Sequence, residues 1–246
     1  MHHRILKTAP NIVEARIIIG DDEEPWPESN GEFIDMLPLH RLYVSDPEVF
    51  DYIRAPAFAE LSMYVEPDSQ IEHLDSFLAC SSCALRRLCL RGSPDSDITA
   101  TILNKHLSIT SFALAPSAPH GQDDDDPDVV ATTVNKHITM LTVDSPNCPV
   151  VAPHLCEMSF GSLASMSVDY HLFLEMLESR HRAADCALST AAFLTEFGRS
   201  RPRVPAILDR IEELRKRGLR VHVESGSEAA YTVNCWAYVC PWISVM

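Results

Sequence analysis

The amino-acid sequence predicts an α/β leucine-rich-repeat solenoid, with a curved and mainly parallel sheet, helices on its outer side and irregular repeat lengths. Two observations support this fold class. One apolar pattern recurs along the chain, and the segments between its copies carry apolar residues at helical spacing. The 246-residue chain is 46% hydrophobic and 22% charged, which is ordinary for a globular protein with a sizeable core.

The recurring pattern is an apolar residue, two residues of any type, a second apolar residue, one residue of any type and a third apolar residue. The copies begin at Ile12, Leu39, Phe58, Leu85, Ile109, Ile138, Leu155, Leu188 and, in a degenerate form, Leu219. Their spacing scatters around the period of roughly 20–29 residues that is typical of leucine-rich repeats. The second and third apolar residues are two positions apart, so they lie on one side of a short strand. This predicts that the core includes Leu61, Leu88, Leu90, Leu141 and Phe160.

Three segments between the copies are predicted to be helices. Apolar residues recur at helical spacing over residues 71–78, after the capping pair Asp68-Ser69, and again over residues 172–177. Residues 205–217 show the same spacing, and Gly218 ends that helix. Residues 219–223 then alternate like a final strand. A strand followed by a helix, repeated, produces a parallel sheet with helices on its outer side.

The charge and the glycine content exclude several classes of function. The 20 Lys and Arg residues against 35 Asp and Glu residues give a net charge of −15, which disfavours nucleic-acid and anionic-membrane partners. With 8 glycines, the chain has neither the dinucleotide fingerprint nor a Walker-type phosphate loop. The acidic segments 21–27 and 123–128 are expected to be solvated surface loops.

The two ends of the sequence indicate an intracellular chain with a separate tail. The first ten residues contain no apolar run like that of a signal peptide, and the 8 cysteines are expected to be reduced thiols in the cytoplasm or nucleus. The repeat-like domain is predicted over residues 1–224 and an apolar tail over residues 225–246. Residues 229–246 carry no charge, but Asn234 and Pro241 interrupt them, so a packed or disordered tail is favoured over a membrane span.

Three sequence features carry a family resemblance. They are the stretches Ala55-Pro56-Ala57-Phe58-Ala59-Glu60-Leu61, Ser81-Ser82-Cys83-Ala84-Leu85 and Glu175-Met176-Leu177-Glu178-Ser179-Arg180. Together they resemble the repeat region of the fungal F-box/leucine-rich-repeat proteins, and the likeness covers roughly residues 5–223. The resemblance implies a substrate-recognition part of an SCF-type ubiquitin ligase.

The chain departs from that family in its N-terminal region. Members carry an F-box module ahead of the repeats, whereas Leu37-Pro38 here is followed by Asp46-Pro47, which interrupts the required helix. The same stretch is expected to supply a repeat strand. A Skp-type adaptor is therefore implied as a partner only if an F-box lies upstream.

No residue constellation predicts catalysis, a metal or a cofactor. Cys80 and Cys83 have the spacing of half a zinc site, but no second such pair follows. His154 and Cys156 lack an identifiable third group, and the serines near Gly161 do not form a nucleophile elbow. These residues are expected to be structural, and the sequence predicts no enzyme activity and no cofactor.

The strand positions between the apolar residues are expected to face the concave, solvent-exposed side of the sheet. His40 and its neighbours on adjacent copies would form a basic and aromatic patch there. Arginine and tyrosine are enriched at binding hot spots, and paired guanidinium groups suit carboxylate- or phosphate-bearing segments. The predicted protein-binding residues are Arg41, Tyr43, Glu60, Arg86 and Arg87.

The leading interpretation is a non-catalytic protein-recognition module. Two alternatives are an enzyme with an unrecognised site, for which a hydrolase is the least excluded class, and a truncated gene product without independent function. A large pocket with convergent titratable groups would favour the enzyme, and an open curved sheet would favour the module.

Overall fold

A computed structural model describes residues 2–19, 26, 32–65, 72–116, 127–143, 149–162, 169–195 and 204–238. Its main feature is an eight-stranded sheet in which every pairing is parallel. Helices connect most of the successive strands. The mixed α/β class and the parallel sheet that the sequence predicts are confirmed.

Strands and helices alternate along most of the described chain. The strands are β1 (Glu14–Ile17), β2 (Ile34–Asp35), β3 (Arg41–Val44), β4 (Ile53–Arg54), β5 (Glu60–Val65), β6 (Arg87–Gly92), β7 (Ser111–Pro116), β8 (Glu157–Ser162), β9 (Thr190–Thr195) and β10 (Arg220–Ser225). The helices are α1 (His2–Thr8), α2 (Glu72–Ser81), α3 (Ser96–Lys105), α4 (Pro127–Leu141), α5 (Tyr170–Arg182), α6 (Pro205–Lys216) and α7 (Ser227–Tyr238), with a 3₁₀ helix at Pro47–Asp51.

The strands of the large sheet lie side by side in chain order. Their order is β1-β3-β5-β6-β7-β8-β9-β10, while β2 and β4 form a separate parallel pair. The second apolar residue of each repeat copy aligns with that of the next strand across the whole sheet. The aligned residues are Ala15, Leu42, Leu61, Leu88, Phe112, Met158, Ala191 and Val221. Eight of the nine predicted copies therefore supply strands of one sheet.

The copy predicted at Ile138 is wrong, because this segment belongs to helix α4 and its end. Val130, Val134, Ile138 and Leu141 are all buried, and their spacing of four, four and three residues is helical. A spacing of three residues fits both the repeat pattern and one helical turn. The pattern alone could not separate the two, and Thr139, Met140 and Thr142 do not lie on a strand.

The main core lies between helices α2–α6 and the sheet face that carries the aligned apolar residues, here called the outer face. Leu61, Leu88, Leu90, Leu141 and Phe160, the five predicted core residues, are all buried in it. Aromatic rings fill both halves of this layer, with Phe50, Phe58 and Phe77 in contact at one end and Phe160, Phe173 and Phe193 at the other.

Caps and turns mark several element boundaries, and one of them is the predicted helix end at Gly218. Asp169 caps α5 by accepting a hydrogen bond from the Leu172 N–H, and Gly218 adopts φ +96° where α6 ends. Asp46 caps the 3₁₀ helix that starts at Pro47, and the preceding residues form β3. The segment after Leu37-Pro38 therefore forms a strand and then a short 3₁₀ helix.

Parts of the predicted loops and of the tail fall outside the described residues. These include most of segment 21–27, residues 123–126 and residues 239–246, whereas Pro127 and Asp128 begin α4. The described part of the tail is α7, which packs on the sheet. In the ranges that the structure describes, no helix combines the length and the apolar character that crossing a membrane would need.

Candidate protein-interaction surface

Charged side chains align across the sheet face opposite the outer helices, here called the inner face. Because side chains alternate along a strand, the residue just before each aligned apolar residue points to this face. The alignment brings oppositely charged residues next to one another on successive strands. We call the following set the charged row: Glu14, Arg41, Glu60, Arg87 and Glu157, with Ser111 between the last two.

Arg41 is neutralised by its neighbours in the charged row. Its Nε donates to Glu60 Oε2 at 2.7 Å and its Nη1 donates to Glu14 Oε1 at 3.1 Å. The side chains of Arg41 and Glu60 are 13% and 14% exposed, so water screens this pair only partly. Arg41 therefore orients Glu60, and its guanidinium is already engaged by two carboxylates.

Arg86 and Arg87 present the more accessible positive charge. The Arg86 side chain is exposed immediately before β6, and its backbone N–H donates to the Ala59 carbonyl. Arg87 is partly exposed, and its Nη2 lies 4.0 Å from Glu157 Oε2, a much looser pair than Arg41 with Glu60. Of the predicted contact residues, Arg86 is thus exposed and Arg87 is partly exposed.

Tyr43 does not lie at the surface, and this corrects the sequence prediction. It is 2% exposed; the Arg16 guanidinium stands 5.5 Å from its ring centroid, and Arg91 Nη1 donates to its hydroxyl at 3.5 Å. Through these contacts the Tyr43 side chain connects β1, β3 and β6, so its role is structural.

The neighbouring inner-face positions are also buried, although the sequence predicts that they face solvent. Cys89, Ala113 and Ala192, together with Ala115 and Leu194, form a second apolar cluster with Ala229 and Val233 of α7. Helix α7 contacts every strand from β5 to β10. These residues do point away from the main core, as predicted, but the chain's own C-terminal helix covers them.

In comparisons with protein-family models, curated proteins and solved structures, the chain matches none of them at a significant level.

The cysteines that the sequence singles out make local contacts in the described structure. The Cys80 thiol donates to the Phe77 carbonyl, and burial raises the pKa of the Cys83 thiol to about 11. The Cys156 thiol donates to the His154 carbonyl at 3.6 Å. Within the described part of the chain, no three His, Cys, Asp or Glu residues are grouped so that they could hold a metal ion.

Two grooves lie between helices of the outer layer. The first, of about 660 Å³, is lined by Asp95, Ser96, Asp97, Thr132, Asn135, Lys136, Thr139 and Met140. The second, of about 270 Å³, is lined by Glu178, Arg182, Arg210, Glu213, Leu214 and Arg217. In the second groove Arg210 Nε donates to Glu178 Oε1 at 2.8 Å, and this hydrogen bond lowers the pKa of Glu178. The described residues that line these grooves include no histidine or cysteine.

The sequence predictions missed the role of α7 and the cationic environment of Tyr43. One signal for α7 was present, because small residues occupy the same strand position at Cys89, Ala113 and Ala192 while the tail is uncharged. Small side chains on the sheet allow a helix to pack closely against it. Arg16 and Arg91 belong to strands that are distant in sequence, so only the register of the sheet brings them to one ring.

Proposed function

We propose that the protein is a non-catalytic protein-recognition module with the architecture of an irregular leucine-rich-repeat solenoid. The observation that carries the proposal is the pairing of eight parallel strands in chain order, with equivalent repeat positions in register. Each repeat unit then contributes one strand to the sheet, as in repeat proteins that bind partners, and α7 covers part of the inner face. The resemblance to F-box/leucine-rich-repeat proteins supports a role in substrate recognition by a ubiquitin ligase in the cytoplasm or nucleus.

The binding site in this proposal is the charged row with Arg86 added to it. Arg86 and Arg87 form its centre, and their guanidinium groups donate to the carboxylate or phosphate oxygens of a partner segment. The sequence predicts Arg41 and Tyr43 as contact residues, but in this proposal both have positioning roles. Arg41 orients the Glu60 carboxylate through its hydrogen bond, and the buried Tyr43 packs between strands.

The partner in this proposal is a protein that bears an acidic or phosphorylated segment. A Skp-type adaptor is a further partner only if an F-box lies upstream of the repeats. Specificity comes from the alternation of charge along the row, because a partner must place its anionic group beside Arg86 and Arg87 while avoiding Glu60 and Glu157.

A charge-reversal experiment tests this function. Quantitative affinity purification after cross-linking compares three proteins. They are the wild type, the Arg86→Glu/Arg87→Glu variant and the Lys136→Glu/Lys216→Glu control variant. The control pair makes the same charge change at two exposed positions on helices α4 and α6, on the other side of the sheet. Circular dichroism and thermal unfolding establish that all three proteins are folded.

We expect the partners captured by the wild type to be retained by the control and reduced about tenfold or more by the Arg86/Arg87 variant. Equal capture by all three proteins would show that the charged row is not the binding site. A wild-type protein that captures nothing above background would contradict the proposed function as a whole.

A further inference from the structure

Strand β1 forms one of the two edges of the eight-stranded sheet. It pairs with β3 on one side, and within the ranges that the structure describes no strand pairs with it on the other side. The carbonyls of Val13 and Ile17 accept hydrogen bonds from backbone N–H groups of β3 and of Ser45, which follows β3. Backbone groups of successive residues in a strand point to opposite sides, so those of Glu14 and Arg16 point away from β3. An exposed strand edge is a template for pairing with a further strand.

The side chains of β1 complement those of a second β1. Glu14 and Arg16 are exposed, carry opposite charges and lie on the inner face, with Ala15 between them. In an antiparallel pair, the residues directly opposite each other lie on the same face of the sheet. A pairing centred on Ala15 therefore places Glu14 of each copy opposite Arg16 of the other and forms two ion pairs.

Only one register gives this complementarity. A pairing centred on Glu14 places two glutamates opposite each other, and one centred on Arg16 does the same with two arginines. A pairing shifted by a single residue sets the inner face of one copy against the outer face of the other. The favoured register has a twofold axis through Ala15, perpendicular to the sheet, and it therefore describes a closed dimer in which both copies use the same surface.

Exposed apolar side chains flank β1 at both of its ends. Val13 and Ile18 are 52% and 39% exposed. In the pairing centred on Ala15, Val13 lies opposite Ile17 of the second copy, and Ile18 lies opposite Ile12. Both contacts remove apolar surface from water, and this adds to the backbone hydrogen bonds of the strand pair.

The opposite edge of the sheet is less suited to the same arrangement. Helices α6 and α7 both contact the edge strand β10. A second copy placed beside β10 by a twofold axis would bring its own α6 and α7 towards these helices. The observations therefore favour β1 over β10 as the edge that a second sheet extends.

We propose that two copies of this chain form a dimer by antiparallel pairing of their β1 strands, centred on Ala15. The two eight-stranded sheets then continue into one another, with their inner faces on the same side. A second copy occupies this edge because the charges of β1 complement themselves in that one register. Arg86 and Arg87 lie at β6, away from the dimer contact, so the dimer and the charged row are tested separately.

Charge exchange on β1 tests the dimer. Sedimentation velocity over an about hundredfold range of protein concentration compares the wild type, Glu14→Arg, Arg16→Glu and an equimolar mixture of these two variants. The control is Arg220→Glu, which makes the same charge change at an exposed position of β10. Each copy carries a net charge of −15, so the measurement uses about 0.15 M salt, at which the Debye length is about 8 Å. Circular dichroism and thermal unfolding establish that every protein is folded.

We expect the wild type and the control to pass from monomer to dimer as the concentration rises. Each variant of β1 places like charges opposite each other twice, so its self-association weakens at least about tenfold. In the mixture every charged residue of β1 again faces an opposite charge, and a dimer forms from one copy of each variant. The inference is overturned if the wild type stays monomeric, if the mixture stays monomeric or if the single β1 variants dimerise like the wild type.

Hydrogen exchange of the wild type, followed by NMR, supplies a measurement that needs no substitution. The amides of Glu14 and Arg16 point away from β3 and donate to the second copy in the dimer. We expect them to exchange at least about tenfold more slowly at high protein concentration than at low concentration. The amides of Ala15 and Ile17 face β3 and should change much less. Exchange of Glu14 and Arg16 that does not depend on concentration would also overturn the inference.

Discussion

At the scale of single residues, the least replaceable polar side chain in the described structure is that of Arg180. It is fully buried in α5, and its guanidinium donates to the carbonyls of Leu141 (3.0 Å), Val151 (2.9 Å) and Ala152 (2.7 Å). It therefore ties the end of α4 and the segment before β8 to α5. Burial lowers the pKa of Arg180, because the charged guanidinium loses its hydration, and the nearby Cys186 opposes this shift only in part.

Replacing Arg180 by methionine removes the guanidinium donors from the Leu141 and Val151 carbonyls and leaves the Ala152 carbonyl with its hydrogen bond from the Leu155 N–H alone. We expect Arg180→Met to reduce the free energy of unfolding by about 3–5 kcal/mol. Arg182→Met, at an exposed position two residues later, changes it by less than about 0.5 kcal/mol. Urea unfolding of both variants checks the prediction, and equal effects would show that the three hydrogen bonds contribute no stability.

Leu88 tests the register of the sheet at the same scale. It lies in the middle of the aligned apolar residues, is 1% exposed and neighbours Leu61 and Phe112. Leu88→Ala is expected to cost about 2–5 kcal/mol of unfolding free energy through lost burial and a new cavity. Leu107→Ala, at a position that is 66% exposed, serves as the control, and a Leu88 effect below about 1 kcal/mol would contradict the register.

At the scale of elements, a buried histidine links α3 to α4. His137 Nδ1 donates to the Thr133 carbonyl at 2.8 Å, and its Nε2 lies 3.2 Å from Thr99 Oγ1. Burial lowers the pKa of His137, and it also lowers the pKa values of His154 and His222. Neutral imidazole is therefore favoured in the folded state more than in the unfolded state.

The stability of the protein should consequently fall on mild acidification. Above the ordinary histidine pKa of 6.5 both states are neutral, and below it the unfolded state takes up protons that the folded state resists. We expect the free energy of unfolding to drop between about pH 7.5 and about pH 5. The drop shrinks in His137→Gln and is unchanged in His171→Gln, a control at an exposed position of α5. Chemical denaturation at several pH values measures it, and a flat profile would be the contrary result.

The elements also show what sequence patterns can and cannot resolve. Strands such as β5 and β6 were predictable because their apolar residues alternate and recur, and α6 was predictable from its stripe and from Gly218. The segment at Ile138 was not, since a three-residue spacing serves a strand pattern and a helix equally. Burial of Tyr43 could not be predicted either, because it depends on Arg16 and Arg91 from other strands.

At the scale of the whole molecule, the chain-order arrangement means that each strand is stabilised mainly by its two neighbours. Helix α7 adds contacts to β5 through β10, so the local stability is expected to vary along the sheet. The first two strands of the large sheet, β1 and β3, have four residues each, whereas β5 to β10 have six each. β1 also forms an edge of the sheet. The N-terminal end is therefore the weaker end.

Native-state hydrogen exchange should reveal this gradient. We expect the amides of β1 and β3 to exchange first and those of β6, β7 and β9 last, with opening free energies that differ by about 1–3 kcal/mol. β10 is also an edge strand, but α6 and α7 both contact it, so its protection should exceed that of β1. Leu88→Ala should lower the protection of β5 to β7 most, because the coupling passes between neighbouring strands. Equal exchange rates in all eight strands would instead show that the sheet opens as one cooperative unit.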